Sequence, residues 1–208
     1  MTEAIDFYLA STSPRRRELL QGLGYRFAVL AVSVEETPRA GELAADYVRR
    51  VALDKARAGR AQLDPVDARP VLGADTEVVV DGGILGKPGS LEEARRMLGL
   101  LSGRAHRVLS AMALVAAADT RVAFSATTVR MRPVTGAEID AYWASGEPRD
   151  KAGGYAIQGL AAEFVTGIEG SYTGVVGLPL CEATALLRSC GIEGWQRRTG
   201  RDVWATRS

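Results

Sequence analysis

Three short stretches of this 208-residue chain hold the side chains with the clearest chemistry. In the first, Ser11-Thr12-Ser13-Pro14-Arg15-Arg16-Arg17 follows an apolar run, Phe7–Ala10, that reads as a buried strand. Ser13 followed by Pro14 is a helix start, with a capping side chain and a proline at the first helical position. A helix N-terminus offers free N–H groups and the positive end of its dipole, so it binds phosphate. Arginine adds bidentate phosphate contacts, yet in a first turn it opposes the dipole unless an anion compensates. Ser11, Arg15 and Arg16 therefore suit an anionic ligand, against the plainer reading of a solvated basic helix end.

In the second stretch, Gly73-Ala74-Asp75-Thr76-Glu77 ends a buried strand with a carboxylate, and Asp75 and Glu77 share one strand face. Asp81-Gly82 marks a two-residue hairpin turn. That turn sets Val80 opposite Gly83 and Thr76 opposite Lys87, which places Lys87 beside Asp75. A carboxylate and an amine at one mouth can activate water and hold a phosphate. A surface salt bridge on a hairpin is the alternative. The third stretch, Asp150 to Gly159, is glycine-rich and embeds one amide, Gln158. A glutamine amide can read a base edge through paired hydrogen bonds, or the stretch can be only a tight turn.

Lys55 continues an apolar helical stripe through Tyr47, Val48, Val51 and Ala52, so it either snorkels or points into a lined cleft. Glu36, after Glu35 at a strand end, can help hold a divalent cation or be solvated. One histidine and two late cysteines leave little for a transition metal; magnesium, bound partly through substrate phosphates, is the fitting cation. His106 reads as structural. The chain has 23 arginines, three lysines (Lys55, Lys87, Lys151) and no asparagine. Where drift has replaced nearly every lysine, a retained one either answers a need for a compact amine or survives by chance.

The elements that must position these groups alternate. Strands are expected at Phe7–Ala10, 27–34, 71–74, 78–80 with 84–85, 108–117, 121–131 and 163–168. Helices are expected from Pro14 to a stop near Gly24, then at 38–63, 90–101, 135–144 and 179–190. Thr135 with Glu138 is a capping-box pair. Helices interleave with hairpins, so the class is α/β with a mixed twisted sheet flanked by helices. Residues 1–193 are expected to form one domain, and 194–208 a C-terminal surface extension.

Apolar residues make up 47% of the chain and charged residues 25%, with a net charge of +1. No basic block tracks a nucleic acid polymer. No apolar run reaches the roughly 18 residues of a membrane span. The first ten residues lack a signal-peptide layout, and Cys181 and Cys190 suggest no disulfide framework, so the expected location is cytoplasmic.

Taken in order, LASTSPRRRELLQGLG, Glu35-Glu36-Thr37-Pro38, LDKARAG, VLGADTEVVVDGGILGKP, LSGRAHRV, GEPRDKAGGYAIQG and GSYTGVVGLPL resemble the Maf family of nucleotide pyrophosphatases. All three lysines fall inside these stretches. The resemblance implies an elongated two-lobed α/β fold with a central cleft, similar to inosine triphosphatases, and commonly a homodimer. It implies a nucleoside triphosphate substrate cut between its α- and β-phosphates with Mg2+ or Mn2+. Asp75 corresponds to the proposed general base, and Ser11, Arg15, Arg16, Glu36, Lys55, Lys87 and Gln158 to phosphate-handling and specificity positions. Arg15, Thr76 and Gln158 match the subgroup similar to dTTP/UTP pyrophosphatases. A subgroup acting on 7-methyl-GTP typically has Ser-Asp-Gln where this chain has Ala74-Asp75-Thr76. The rival readings are action on such a modified nucleotide and a non-catalytic, nucleotide-responsive role in cell division.

Overall fold

The computed structural model describes residues 4–117 and 119–195. The chain enters on β1 (Phe7–Ala10), turns through α1 (Pro14–Gly22), and sets β2 (Phe27–Val29) parallel to β1. Next, α2 (Ala44–Arg60) crosses to β3 (Val71–Val80), which is parallel to β1 on its other side. β4 (Gly83–Leu85) folds back on β3, and α3 (Leu91–Leu101) leads to the long antiparallel pair β5 (Ala105–Val115) and β6 (Thr120–Met131). After α4 (Gly136–Ala144) come 3-10 turns at Glu147–Asp150, Ala152–Gly154 and Leu160–Phe164. β7 (Val165–Glu169), α5 (Tyr172–Val176) and α6 (Leu180–Arg188) complete the described chain. The sheet runs β2-β1-β3-β5-β6-β7, with β4 on β3, and is mixed and helix-flanked as expected.

The sheet positions the site through an interruption in one edge of β3. β5 occupies one edge of β3 continuously, from Val71 to Val79. On the other edge, β1 pairs only with Val71, Leu72 and Gly73, and β4 only with Val78, Val79 and Val80. Residues 74–77 lie in the gap. β1 runs parallel to β3 and β4 antiparallel, so the carboxyl ends of both strands run into that gap. Ligands of open α/β sheets bind beyond such carboxyl ends.

Each face of the sheet has its own cover. α2 lays Val48 and Ala52 against Val79, Leu109 and Ala111, and Ala56 against Ala113. On the opposite face, Leu20 of α1 and Leu187 of α6 pack with Leu9, Leu72 and Met112. Further along, Leu98 of α3 and Tyr142 of α4 pack with Val78, Val80 and Val108. The approach of α2 depends on Gly73, where an added Cβ would stand 2.3 Å from the Ala52 carbonyl oxygen. Any side chain there would push α2, and Lys55 with it, off β3.

Several element limits differ from expectation. The strand expected at 27–34 stops at Val29, and the helix expected from Pro38 starts only at Ala44, because Gly41 takes φ +74, outside the helical region. The two short strands expected at 71–74 and 78–80 are one, since the β5 ladder carries Asp75, Thr76 and Glu77 through without a break. Asp81 at φ 51 and Gly82 at φ 78 form the expected hairpin turn, with Val80 opposite Gly83. Thr135 and Glu138 form the capping box, whereas Ser13 sits at the N-cap of α1 without a side-chain cap bond.

Of the expected C-terminal extension, Gly194 is packed: a Cβ there would meet the Leu23 carbonyl and the Tyr25 ring at 2.8 Å. Residues 196–208 of that expectation lie outside the described residues. Cys181 and Cys190 are free and exposed. No helix among the described residues is long and apolar enough to cross a membrane.

His106 is buried and its Nε2 lies 2.7 Å from the Tyr155 hydroxyl. Burial lowers its pKa from 6.5 to about 4. The unfolded chain therefore binds the extra proton first as pH falls, and stability drops between about pH 6.5 and 4. The expected loss is roughly 2–3 kcal/mol from this group. His106→Gln flattens that window in urea unfolding at pH 7 against pH 4.5; an unchanged slope would contradict the assignment.

Candidate active site

A cavity of about 590 Å³ opens at the gap in the β3 edge. Its floor is Asp75, Thr76 and Glu77; one wall is Ser11 to Arg16, from the end of β1 into α1. Glu36 and Lys55 line a second wall, while Lys87 and Gln158 reach it from the loops after β4 and after the second 3-10 turn. Every side chain singled out for binding or catalysis faces this one cavity.

At its centre, Lys55 Nζ donates to Asp75 Oδ1 at 2.8 Å and lies 2.9 Å from Glu36 Oε1. Asp75 is 4% exposed and Lys55 9% exposed, so the lysine points into the cleft rather than snorkelling. The amine on Asp75 is therefore Lys55 and not Lys87. The ladder with β4 ends at Leu85, leaving Lys87 exposed and without an ion pair among the described residues. Tyr47 fixes the third member, donating its hydroxyl to the Glu36 carbonyl at 2.9 Å. Asp75 Oδ2 is buried with no hydrogen-bond partner among the described residues.

Glu77, on the same strand face, was noticed in the sequence only as a neighbour. Its Oε2 is likewise buried without a partner, and burial, reinforced by the Asp75 charge, pushes its carboxyl up to about 8. Such a group is stabilised by a cation more than by bare protein. Among the described residues no three His, Cys, Asp or Glu side chains are grouped to hold a metal ion. The fit is to magnesium-type binding, in which one or two carboxylates act together with substrate phosphates and water.

Arg16 is buried, and Nε donates to the Gly177 carbonyl at 2.9 Å and Nη1 to Ser11 Oγ at 3.1 Å. Its Nη2 reaches Thr76 Oγ1 at 3.4 Å. Three of five guanidinium donors are thus used, and no carboxylate among the described residues lies within ion-pair distance. A buried cation with spare donors and no counter-ion is a prepared anion site. Burial lowers its pKa, offset by the charges of Asp75, Glu36 and Glu77. Arg15 is held across the mouth by Asp150 at 3.3 Å.

The Thr76 hydroxyl lies 2.9 Å from Ser110 Oγ and 3.2 Å from the Gly177 carbonyl, so it ties the floor to the 174–177 segment. Ser110, which donates to the Gly174 carbonyl at 2.7 Å, escaped the sequence reading. Its signal was a lone hydroxyl inside the apolar run of β5. Gln158 is exposed at the mouth, and no hydrogen bond occupies its amide among the described residues.

The Maf family model, described as Maf-like protein, matches residues 6–190. A dTTP/UTP pyrophosphatase of Methylococcus capsulatus is 57% identical over 91% of this chain and 93% of its own length. One of Hahella chejuensis is 52% identical over 90% and 93%. Among solved structures, a dITP/XTP pyrophosphatase of Mycobacterium abscessus is 21% identical, covering 60% of this chain and 72% of its own, with TM-score 0.41. By the family match over residues 6–190 and by relatives more than half identical along nearly its whole length, this chain belongs to the Maf family.

Proposed function

We propose that this chain hydrolyses dTTP and UTP to the nucleoside monophosphate and pyrophosphate, with Asp75 as general base. The observation that carries this is the Lys55–Asp75 pair, in which the ammonium holds Oδ1 and leaves Oδ2 free to accept a proton. Water supported by Oδ2 attacks the α-phosphorus as its proton passes to Asp75. The bond to the bridging oxygen breaks, and pyrophosphate leaves with the electron pair. Arg16, Ser11 and the uncapped first turn of α1 receive phosphate oxygens, with Arg15 and Lys87 at the mouth. A divalent cation, Mg2+ or Mn2+, would be held by Glu77 and Glu36 together with the substrate, and would draw charge off the phosphates. The names of the close relatives support the same reading.

Gln158 is the proposed base selector. Its amide pairs a donor and an acceptor with the adjacent carbonyl and N–H of uracil or thymine, and cytosine lacks the ring N–H. Because Gln158 is exposed before binding, discrimination requires the nucleotide itself to cover the amide. The test is a panel of triphosphates with products separated. UTP and dTTP yield monophosphate and pyrophosphate in equal amounts and outpace CTP and purine triphosphates; a chelator stops turnover. Gln158→Leu erodes the ranking more than the rate. Diphosphate plus phosphate as first products would overturn the reaction, and preference for 7-methyl-GTP would overturn the substrate.

A further inference from the structure

Among the described residues the side chain of Gln158 has no hydrogen-bond partner, yet the backbone on both sides of it is gripped by two residues outside the cavity lining. The buried Tyr142, on α4, accepts at its hydroxyl from the Ala156 N–H at 3.0 Å and donates to Glu147 Oε1 at 2.8 Å. Glu147 then accepts from the Leu160 N–H at 3.1 Å, through Oε2, and from the Ala161 N–H at 3.4 Å. Ala156 precedes Gln158 by two residues and Leu160 follows it by two. The turn between them closes on itself, with the Gly159 N–H donating to the Ala156 carbonyl at 3.0 Å. Gly159 lets the Glu147 carboxylate come this close: a Cβ there would stand 2.1 Å from Oε2, and the carboxylate would have to move away. Burial, reinforced by the bond to Glu147, raises the pKa of Tyr142 and keeps its hydroxyl a donor.

We infer that Tyr142 and Glu147 are specificity-positioning residues, a clamp on both flanks of Gln158 that fixes where its amide meets the base. The inference rests on the reading of Gln158 as base selector. An amide at an open mouth discriminates between bases only if its backbone is fixed before the base arrives, because a mobile amide adapts to either hydrogen-bonding pattern. The clamp supplies that fixity from outside the cavity. Weakening it moves the choice of base rather than the chemistry at Asp75.

Tyr142→Phe keeps the ring in the core and removes the hydroxyl; Glu147→Gln keeps the shape and one acceptor. The kcat/KM ratio of UTP to CTP is measured for both, for Glu147→Ala and for Gln158→Leu, with amide hydrogen exchange of residues 156–161. Tyr142→Phe and Glu147→Ala are expected to lower the ratio roughly three- to tenfold, largely through KM for UTP, and to speed exchange in this segment. Glu147→Gln falls between them and the parent. In the Gln158→Leu background, Tyr142→Phe adds no further loss of discrimination. If Gln158→Leu lowers the ratio while folded Tyr142→Phe and Glu147→Gln leave it unchanged, the clamp is overturned alone. If Gln158→Leu itself leaves the ratio unchanged, the base-selector reading fails, and the clamp falls with it.

Discussion

Replacing Asp75 with Asn lowers turnover of dTTP and UTP by about 10²–10⁴-fold, the range that general-base help supplies. Asparagine keeps the shape of the side chain but cannot take the proton from water. The fold should survive, because Lys55 still has Glu36 at 2.9 Å and its charge is not orphaned by the substitution. The check is kcat beside a thermal unfolding curve on the same preparation. Near-normal turnover in a folded Asp75→Asn protein would remove Asp75 from the role of base.

Lys55→Met is expected to be the most damaging substitution for stability. It strands Asp75, 4% exposed, as a buried carboxylate that has lost its one hydrogen-bonded side-chain partner among the described residues. Removing one partner of a buried pair destabilises by about 3–5 kcal/mol. For a chain of this size that lowers the melting temperature by roughly 10 °C. Turnover falls as well, since nothing holds Oδ1 and orients the base. Adding Asp75→Asn to Lys55→Met removes the stranded charge and recovers much of the lost stability, though not the activity. A Lys55→Met protein as stable as the parent would show that the pair contributes little to the fold.

The hairpin and its register were legible because Asp81-Gly82 encodes its own turn. The capping box at Thr135 was legible for the same reason: both partners lie within four residues. Lys55 stood out through its place on an apolar stripe and the scarcity of lysine. Its partner did not, because the contact depends on how closely α2 lies on β3. That distance is set by Gly73, a residue with no side chain to notice. Strand register alone pointed to Lys87, and register says nothing of what descends from the face above. The continuity of β3 was hidden by three polar residues that a strand of this sheet carries toward a cavity. Strand alternation made the place of Glu77 beside Asp75 legible, though not its burial. Ser110 and the grip of Tyr142 and Glu147 on the Gln158 segment depend on packing between distant elements. No local spacing encodes them.

Attack on the α-phosphorus, proposed for water held by Asp75, is tested most directly by hydrolysis in water enriched in oxygen-18. With UTP or dTTP and a divalent cation, mass spectrometry of the products should find the heavy oxygen in the nucleoside monophosphate and none in pyrophosphate. Label in pyrophosphate would mean attack on the β-phosphorus, and label in released phosphate attack on the γ-phosphorus. Either result would contradict the account.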